Sequence, residues 1–548
     1  MSRILFVSRA LFRSFAFASI AAAVIAQPAA AQTATEQRKQ IRELNKASGQ
    51  TLRQSAVEQE KTATAKIRQQ LKAVRSELLA PSNARLIGGK PTFVVGTSKA
   101  FQRPLSKLAG TKPPSDLSSR MQGQIQNTKQ SIVREGKLDD VLKSKGLLKP
   151  QVRSFVSAPG QASSVCDPNA AKFDWRRIGA VESVKDQGSC GSCWAFAATA
   201  AIEGSYFVRA KDSFTGSEQQ ILSCSRAGSC ANGGWYSDAW DNLQGQGTAT
   251  SKSYPYTGED RQCKWTTQTP YHWNYWGWVN ENQDPYNYDV PTPKDMIKDA
   301  LCQRGPLATT VAVTPAFQGY SSGVFNEQTD IPINHAVTIV GWDDADNAWI
   351  VKNSWGTGWG EKGYIRIHYD SNKIGVLTAW VAARKPVQLT DNCTRFDPKM
   401  VRLRNISGKW KFVYQGRNIF DLGDRQEEAE KALAAMRHYK VNRRCWVGQK
   451  PDDVAATSPP ANAASTFEYF LAGTKIPTGA MTGETCQPIK ADSLDVNQRD
   501  NRFVLGDGNT TLASSANQED AWLSYAYIRR HGFTHQCKIG SFFAYYRR

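Results

Sequence analysis

The sequence predicts an α+β protein: a basic N-terminal region, a central domain mixing a helix with apolar strands, and two small C-terminal α+β repeat domains. Three observations carry this. The run Trp194-Ala-Phe-Ala-Ala-Thr-Ala-Ala-Ile-Glu203 is helical in composition, whereas His335-Ala-Val-Thr-Ile-Val340 reads as an apolar strand. Residue statistics change at Cys166, because every cysteine and tryptophan lies at or beyond it. Beyond Cys393 a pattern occurs twice, each time with a helix signal between strand-like runs.

A chain of 548 residues implies about three domains at roughly 100–200 residues each. That length excludes a small disulfide-stapled toxin, and the apolar content excludes a wholly disordered chain. Residues 1–31 hold Arg3, Arg9 and Arg13 and no acid, then an apolar run from Phe15 to Ala26, then Pro28-Ala29-Ala30-Ala31. This order predicts a secretory signal cleaved after about Ala31. The run is shorter than the ~20 residues a membrane helix needs, so a soluble protein, secreted or periplasmic and without a transmembrane segment, is expected.

Residues 32–165 read as a basic prosegment and linker with net charge +15. Ile67, Leu71, Val74 and Leu78 form a helical stripe ending before Pro81, Thr92 to Gly96 reads as a short strand, and Ser157 to Ser164 has linker composition. Residues 166–392 form the central domain with net charge −5, and 393–548 carry +7. The overall +20 is thus concentrated before the central domain, and no nucleic-acid partner is implied.

The C-terminal repeat matches Phe412-Val413, Gln426-Glu427-Glu428-Ala429, Arg437-His438 and Cys445 to Phe503-Val504, Gln518-Glu519-Asp520-Ala521, Arg530-His531 and Cys537. Cys393 and Cys486 open the copies. The expected layout is repeat 1 over 393–454, a linker over 455–485 and repeat 2 over 486–548. Each copy should hold two or three strands, a helix from the Gln-Glu pair and a final strand after its second cysteine.

Eleven cysteines are informative because cysteines of exported proteins normally pair, and an odd count leaves one thiol. In Gln187-Gly-Ser-Cys190-Gly-Ser-Cys193-Trp194, Cys193 stands at the start of the helical run. Exposed N–H groups and the helix dipole there favour a thiolate. A redox pair would follow a strand in a βαβ unit and a zinc site needs two further ligands; neither context is present. No metal and no cofactor are implied. Gly356-x-Gly358-x-Gly360 lacks the strand-to-helix setting and lysine of a phosphate loop and reads as a tight turn.

The segment resembles the signature of the papain and cathepsin family of cysteine peptidases, and the likeness extends over about residues 170–382. Asp174-Trp175-Arg176, Ser217 to Leu222 before Cys224, Cys230-Ala-Asn-Gly233-Gly234, Tyr254-Pro-Tyr256, Asn334-His335-Ala336 and Lys352-Asn353-Ser354-Trp355-Gly356 follow in the family's order. The resemblance implies a two-lobed papain-like fold, with a helical lobe carrying Cys193 and a β-barrel-like lobe carrying His335 and Asn353. It also implies roles. Cys193 is the nucleophile, His335 its acid-base partner, Asn353 orients His335, and Gln187 with the Cys193 N–H binds the oxyanion. Trp355 shields the Asn353–His335 bond, Gly233 and Gly234 bind substrate backbone, and Trp235, Thr310, Ile333 and Ala336 line an apolar specificity pocket.

The resemblance allocates disulfides Cys190–Cys230 and Cys224–Cys263, and the repeats suggest Cys393–Cys445 and Cys486–Cys537. Arithmetic then leaves Cys166 with Cys302 and a free Cys193. Thr329 and Leu377 stand where a further family bridge would fall, and Asn334 stands where many members have Asp. Tyr271 to Trp278 reads as a core strand and 284–289 as a rim insertion, ahead of a sugar or peptide platform.

The function expected is an exported cysteine-type endopeptidase acting on polypeptides, made as a zymogen whose prosegment, a helix plus a strand, docks as an intramolecular inhibitor. Two other readings are an exported adhesion protein whose repeats bind glycan or protein beside an inactive scaffold, and a transpeptidase.

Overall fold

A computed structural model describes residues 60–61, 63–79, 85–145, 165–210, 212–244, 246–264, 271–384, 392–447, 468–472, 480–490, 493–500, 502–507, 511–515, 517–540 and 543–547. The expected signal (1–31) and the 157–164 linker lie outside them. No helix among the described residues is long and apolar enough to cross a membrane.

The N-terminal region opens with α1 (Ala65–Leu78), capped by the Thr64 hydroxyl and burying Leu71, Val74 and Leu78 as the stripe requires. β1 (Phe93–Val95) follows, then the one-turn α2 (Leu105–Leu108) and the 28-residue α3 (Leu117–Ser144). α3 is not marked by the sequence pattern of this region.

The central domain begins with β2 (Lys172–Asp174). Its first lobe holds α4 (Cys193–Ala210), α5 (Glu218–Cys224), the short strands β3 (Gly228–Ser229) and β4 (Gly233–Gly234), and α6 (Tyr236–Leu243). α4 is buried nearly all round, which explains its Ala-rich composition: small side chains let the sheet approach. The second lobe contains β5 (His272–Trp278), α7 (Lys294–Arg304), β6 (Leu307–Val311), α8 (Pro315–Gln318), β7 (Tyr320–Phe325), β8 (His335–Asp343), β9 (Ala348–Lys352), β10 (Tyr364–His368) and β11 (Val376–Arg384).

The strands order as β1-β7-β10-β9-β8-β6-β11-β5, with β2 on β8. This path has two ends, so an open sheet stands where a barrel-like lobe was expected. β1 extends one edge by pairing with β7, and the tryptophan-rich β5 extends the other by pairing with β11. Trp273, Trp276 and Trp278 are buried, the core-strand outcome.

The C-terminal region has two equivalent halves. The first runs β12 (Asn392–Arg395), β13 (Arg402–Ile406), β14 (Lys409–Tyr414), β15 (Arg417–Asp421), α9 (Gln426–His438), β16 (Val441–Trp446) and β17 (Glu468–Ala472). The second runs β18 (Glu484–Pro488), β19 (Asp495–Arg499), β20 (Arg502–Gly506), β21 (Thr511–Ser515), α10 (Gln518–His531), β22 (His535–Ile539) and β23 (Phe543–Arg547). Each half thus puts four strands before its helix, and the second cysteine lies within a strand. The linker expected over 455–485 does not extend to 468–472, whose Tyr469, Phe470 and Leu471 are buried.

The halves do not have independent cores. Cys537, Ile539, Phe543 and Tyr545 of the second join Phe412, Ala432 and Met436 of the first, while Cys445, Val447, Tyr469 and Leu471 of the first join Trp522, Tyr525 and Ile528 of the second. Disulfides join Cys166–Cys302, Cys190–Cys230, Cys224–Cys263, Cys393–Cys445 and Cys486–Cys537, and Cys193 is free and buried.

Candidate active site

Cys193 opens α4, and the turn before it is fixed on both sides. The Cys190–Cys230 bridge ties it to β4's loop, and the Gly191 N–H donates to the Cys230 carbonyl at 3.0 Å. His335 opens β8 and Asn353 follows β9, so antiparallel pairing of these strands brings the two together. His335 Nε2 and Asn353 Oδ1 are 2.9 Å apart, and Oδ1 also accepts the Ser354 N–H at 2.8 Å. Nδ1 is buried and carries no hydrogen bond of its own, while the ring acts electrostatically on the Cys193 thiol.

Burial alone would raise the Cys193 thiol, since it disfavours the charged form. The positive charge of His335, with hydrogen bonds from Thr111 and the Ala336 N–H, outweighs burial and lowers it to about 7. The thiolate is therefore a major species near neutral pH. The Trp355 ring lies 4.8 Å from His335, and Phe317 and Trp359 pack behind it, keeping water off the Asn353 bond.

Gln187 is held at four points. Its N–H donates to the Ser354 carbonyl at 2.8 Å, its Oε1 accepts from the Ser354 hydroxyl at 2.6 Å, and its carbonyl accepts from the Tyr256 hydroxyl at 2.9 Å. Its Nε2 donates to the Cys190 carbonyl at 2.7 Å and to the Leu108 carbonyl at 3.1 Å. Ser354 and Tyr256 lie in the motifs read from the sequence, yet their positioning of Gln187 depends on contacts across the fold.

The two lobes are also joined behind the site by buried charges. Lys185 pairs with Glu218 at 2.5 Å and Glu203 at 3.4 Å, and Lys352, beside Asn353, lies 3.9 Å from Glu203. Burial lowers Lys352 and raises Glu218, each partly offset by its partners.

The cleft is occupied by the chain itself. Gly110 carbonyl accepts from Gly234 N–H at 2.8 Å, Lys112 N–H donates to Gly234 carbonyl at 3.1 Å, and Thr111 N–H donates to Asn334 carbonyl at 2.9 Å. The Thr111 hydroxyl is 3.1 Å from Cys193 Sγ. A Cβ on Gly110 would lie 2.1 Å from the Gly191 carbonyl oxygen, so only glycine passes there. No sequence signal marks 108–112, because its contacts are made largely by main chain.

Trp235, Ile333 and Ala336 share one apolar cluster with Tyr236 and Leu377. Thr310 is fully buried opposite Ala336, and its hydroxyl donates to the Val376 carbonyl at 2.8 Å. Glu484, Cys486 and Cys537 cluster as metal ligands would. Their two sulfurs are joined in a disulfide, so they offer no thiolate.

A buried thiol of lowered pKa, an imidazole fixed by an amide, and an amide donor aimed beside them define a nucleophilic cysteine site on a two-lobed scaffold. The profile described as "Papain family cysteine protease" matches residues 169–384. Zingipain-2 of Zingiber officinale is 39% identical, matching 35% of this chain and 85% of that protein. Cathepsin L-like proteinase of Fasciola hepatica is 38% identical over 38% of this chain and 63% of its own length. Digestive cysteine proteinase 2 of Homarus americanus is 36% identical over 38% of this chain and 65% of its own. The chain therefore spans just under two thirds of the length of the last two. It belongs to the papain family.

Proposed function

We propose that the protein is an exported cysteine endopeptidase, made as a zymogen, in which Cys193, His335, Asn353 and Gln187 carry the reaction. The observation that carries this is the buried meeting of Cys193, His335 and Asn353, with His335 Nε2 2.9 Å from Asn353 Oδ1 and the His335 charge lowering the Cys193 thiol. The thiolate adds to a peptide carbonyl carbon, and the oxyanion accepts from Gln187 Nε2 and the Cys193 N–H. The C–N bond breaks as His335 gives its Nδ1 proton to the leaving amine. Water then attacks the thioester with His335 as base, releasing a carboxylate and restoring the thiol. Polypeptide is the substrate class, with an apolar preference set by Trp235, Thr310, Ile333 and Ala336 and main-chain binding at Gly233 and Gly234.

Five disulfides support export, since such bonds persist in oxidising compartments. Zymogen character is supported by the cleft segment. The Leu108 carbonyl takes the Gln187 donor, and the group against Sγ is the Thr111 hydroxyl, which has no acyl carbon to attack. Ion pairs Arg103–Asp186 at 2.7 Å and Arg120–Asp238 at 3.2 Å accord with the opposite net charges of the two regions.

The test is labelling by a thiol-reactive epoxide together with cleavage of a peptide library. Processed wild-type protein should be labelled at Cys193 and cleave peptides, and Cys193→Ser should do neither. Processed protein that binds glycan but neither labels nor cleaves would sink the enzyme reading.

A further inference from the structure

Helix α3 (Leu117–Ser144) extends about 42 Å at 1.5 Å per residue, and its two halves face different bodies. The N-terminal half lays Leu117, Met121 and Ile125 into the cluster of Trp273, Trp276 and Trp278. The Thr128 hydroxyl donates to the Trp276 carbonyl at 2.7 Å, and Trp278 Nε1 donates to Gln124 Oε1 at 3.2 Å. The C-terminal half turns Leu138 and Leu142 into the cluster of Leu494, Trp522 and Tyr525. Arg134 donates to the Leu494 carbonyl at 2.8 Å, and Lys145, just past the helix, pairs with Glu519 at 2.5 Å. Apart from α3, neither cluster mixes central-domain side chains with C-terminal ones.

Trp276, Trp278 and Trp522 are at most 4% exposed with α3 in place. Lifting the helix would uncover apolar surface on both bodies at once, which soluble monomers rarely present. The cleft segment, by contrast, ends at Lys112, whose N–H donates to the Gly234 carbonyl. Between it and α3 lies Pro113-Pro114-Ser115-Asp116, where Ser115 and Asp116 form an exposed turn. Exposed turns of small polar residues are where folded chains are nicked.

We propose that α3 is a docking strap and not part of the removable inhibitor. It holds the C-terminal pair on the peptidase body and stays in the active enzyme, and the cut that opens the cleft falls within 112–116. That cut is a hydrolysis: one water is consumed, a C–N bond breaks, and a new carboxylate and amine form. The placement of the cut rests on the reading of 85–112 as the segment that closes the site.

The full chain carrying Cys193→Ala, which cannot process itself, is given a site for a sequence-specific endopeptidase in 385–391. After cleavage there, the two fragments are expected to leave a sizing column as one species. Leu138→Asp with Leu142→Asp is expected to separate them. Separation of the parent fragments, or co-migration that the double substitution leaves untouched, overturns the strap. Should the double variant unfold, Leu142→Ala serves instead. Amide hydrogen exchange in α10 is then expected to speed up while exchange in α4 stays as in the parent, and unchanged exchange in α10 counts against the proposal.

Wild-type protein left to mature is then analysed by N-terminal sequencing and native mass. Residues 117–144 are expected at one copy per peptidase domain, and an active enzyme without them overturns retention. A chain already active before any cut would overturn closure by 85–112, while the co-migration result would still decide the strap.

Discussion

The cleft stretch 108–112 and the segment 117–144 both precede the central domain, yet they are held differently. The first reaches the site through main-chain groups: Leu108, Gly110, Thr111 and Lys112 all bond through carbonyl or N–H. The second is held by apolar side chains, including Met121 and Leu142 at zero exposure. A net hydrogen bond contributes about 0.5–1.5 kcal/mol, whereas a buried large apolar side chain contributes about 1.5–3 kcal/mol. Main-chain bonds can be given over to another polypeptide at little loss, but tryptophan surfaces cannot. The 108–112 stretch is suited to give way and α3 to remain, while Leu86, Phe93, Val95 and Phe101 upstream are anchored by apolar contacts with Phe317 and Phe325 in the central-domain core.

Four substitutions would break or sharpen that contrast. Leu142→Ala should destabilise the seat of α10 by about 2–5 kcal/mol, as large-to-small core changes do. Denaturant unfolding followed at the C-terminal pair would show it, with turnover of processed enzyme unchanged. Gln187→Ala should lower kcat by roughly 10²–10³-fold, the loss expected for one oxyanion donor. Because Gln187 also grips Leu108, the same change should raise the fraction of intact chain open to thiol labelling; a fall in kcat with labelling unchanged would detach Gln187 from the hold on 85–112.

Gly110→Ala forces a Cβ against the Gly191 carbonyl oxygen. It should weaken closure by about 1–3 kcal/mol, as overpacking does, and intact chain should show peptide cleavage. Thr111→Val removes a hydrogen bond that favours the Cys193 thiolate. The folded value lies below the ordinary thiol value, so thiolate is present above about 7 and lost as pH falls through it. Without the Thr111 hydroxyl that midpoint should move up. Ultraviolet thiolate absorbance of the intact variant across pH would test this, and a downward shift would refute it.

The Cys193, His335 and Asn353 arrangement was legible because its residues stand on short local motifs, such as Cys190-Gly-Ser-Cys193 and Asn353-Ser354-Trp355. α3 was not, because its apolar stripe changes face. Leu117, Met121, Ile125 and Thr128 follow one line and Arg134, Leu138 and Leu142 another, so no single periodic face stands out. Residues 468–472 disappeared into a linker reading because so short a run gains its strand identity only by pairing with β16. The barrel-like expectation failed because the order of strands in a sheet is a matter of non-local pairing.

The sequence by itself determined the α+β class, the odd cysteine, the repeat and the family's motifs, since each is written in residue type and spacing. Only the tertiary structure decided that Gly110 and Thr111 lie in the cleft, that Ser354 and Tyr256 hold Gln187, and that the repeats exchange cores. The physical reason is common to all three. Main-chain hydrogen bonds and contacts between distant side chains constrain where residues meet in space while leaving little mark on which residues stand next to each other in the chain.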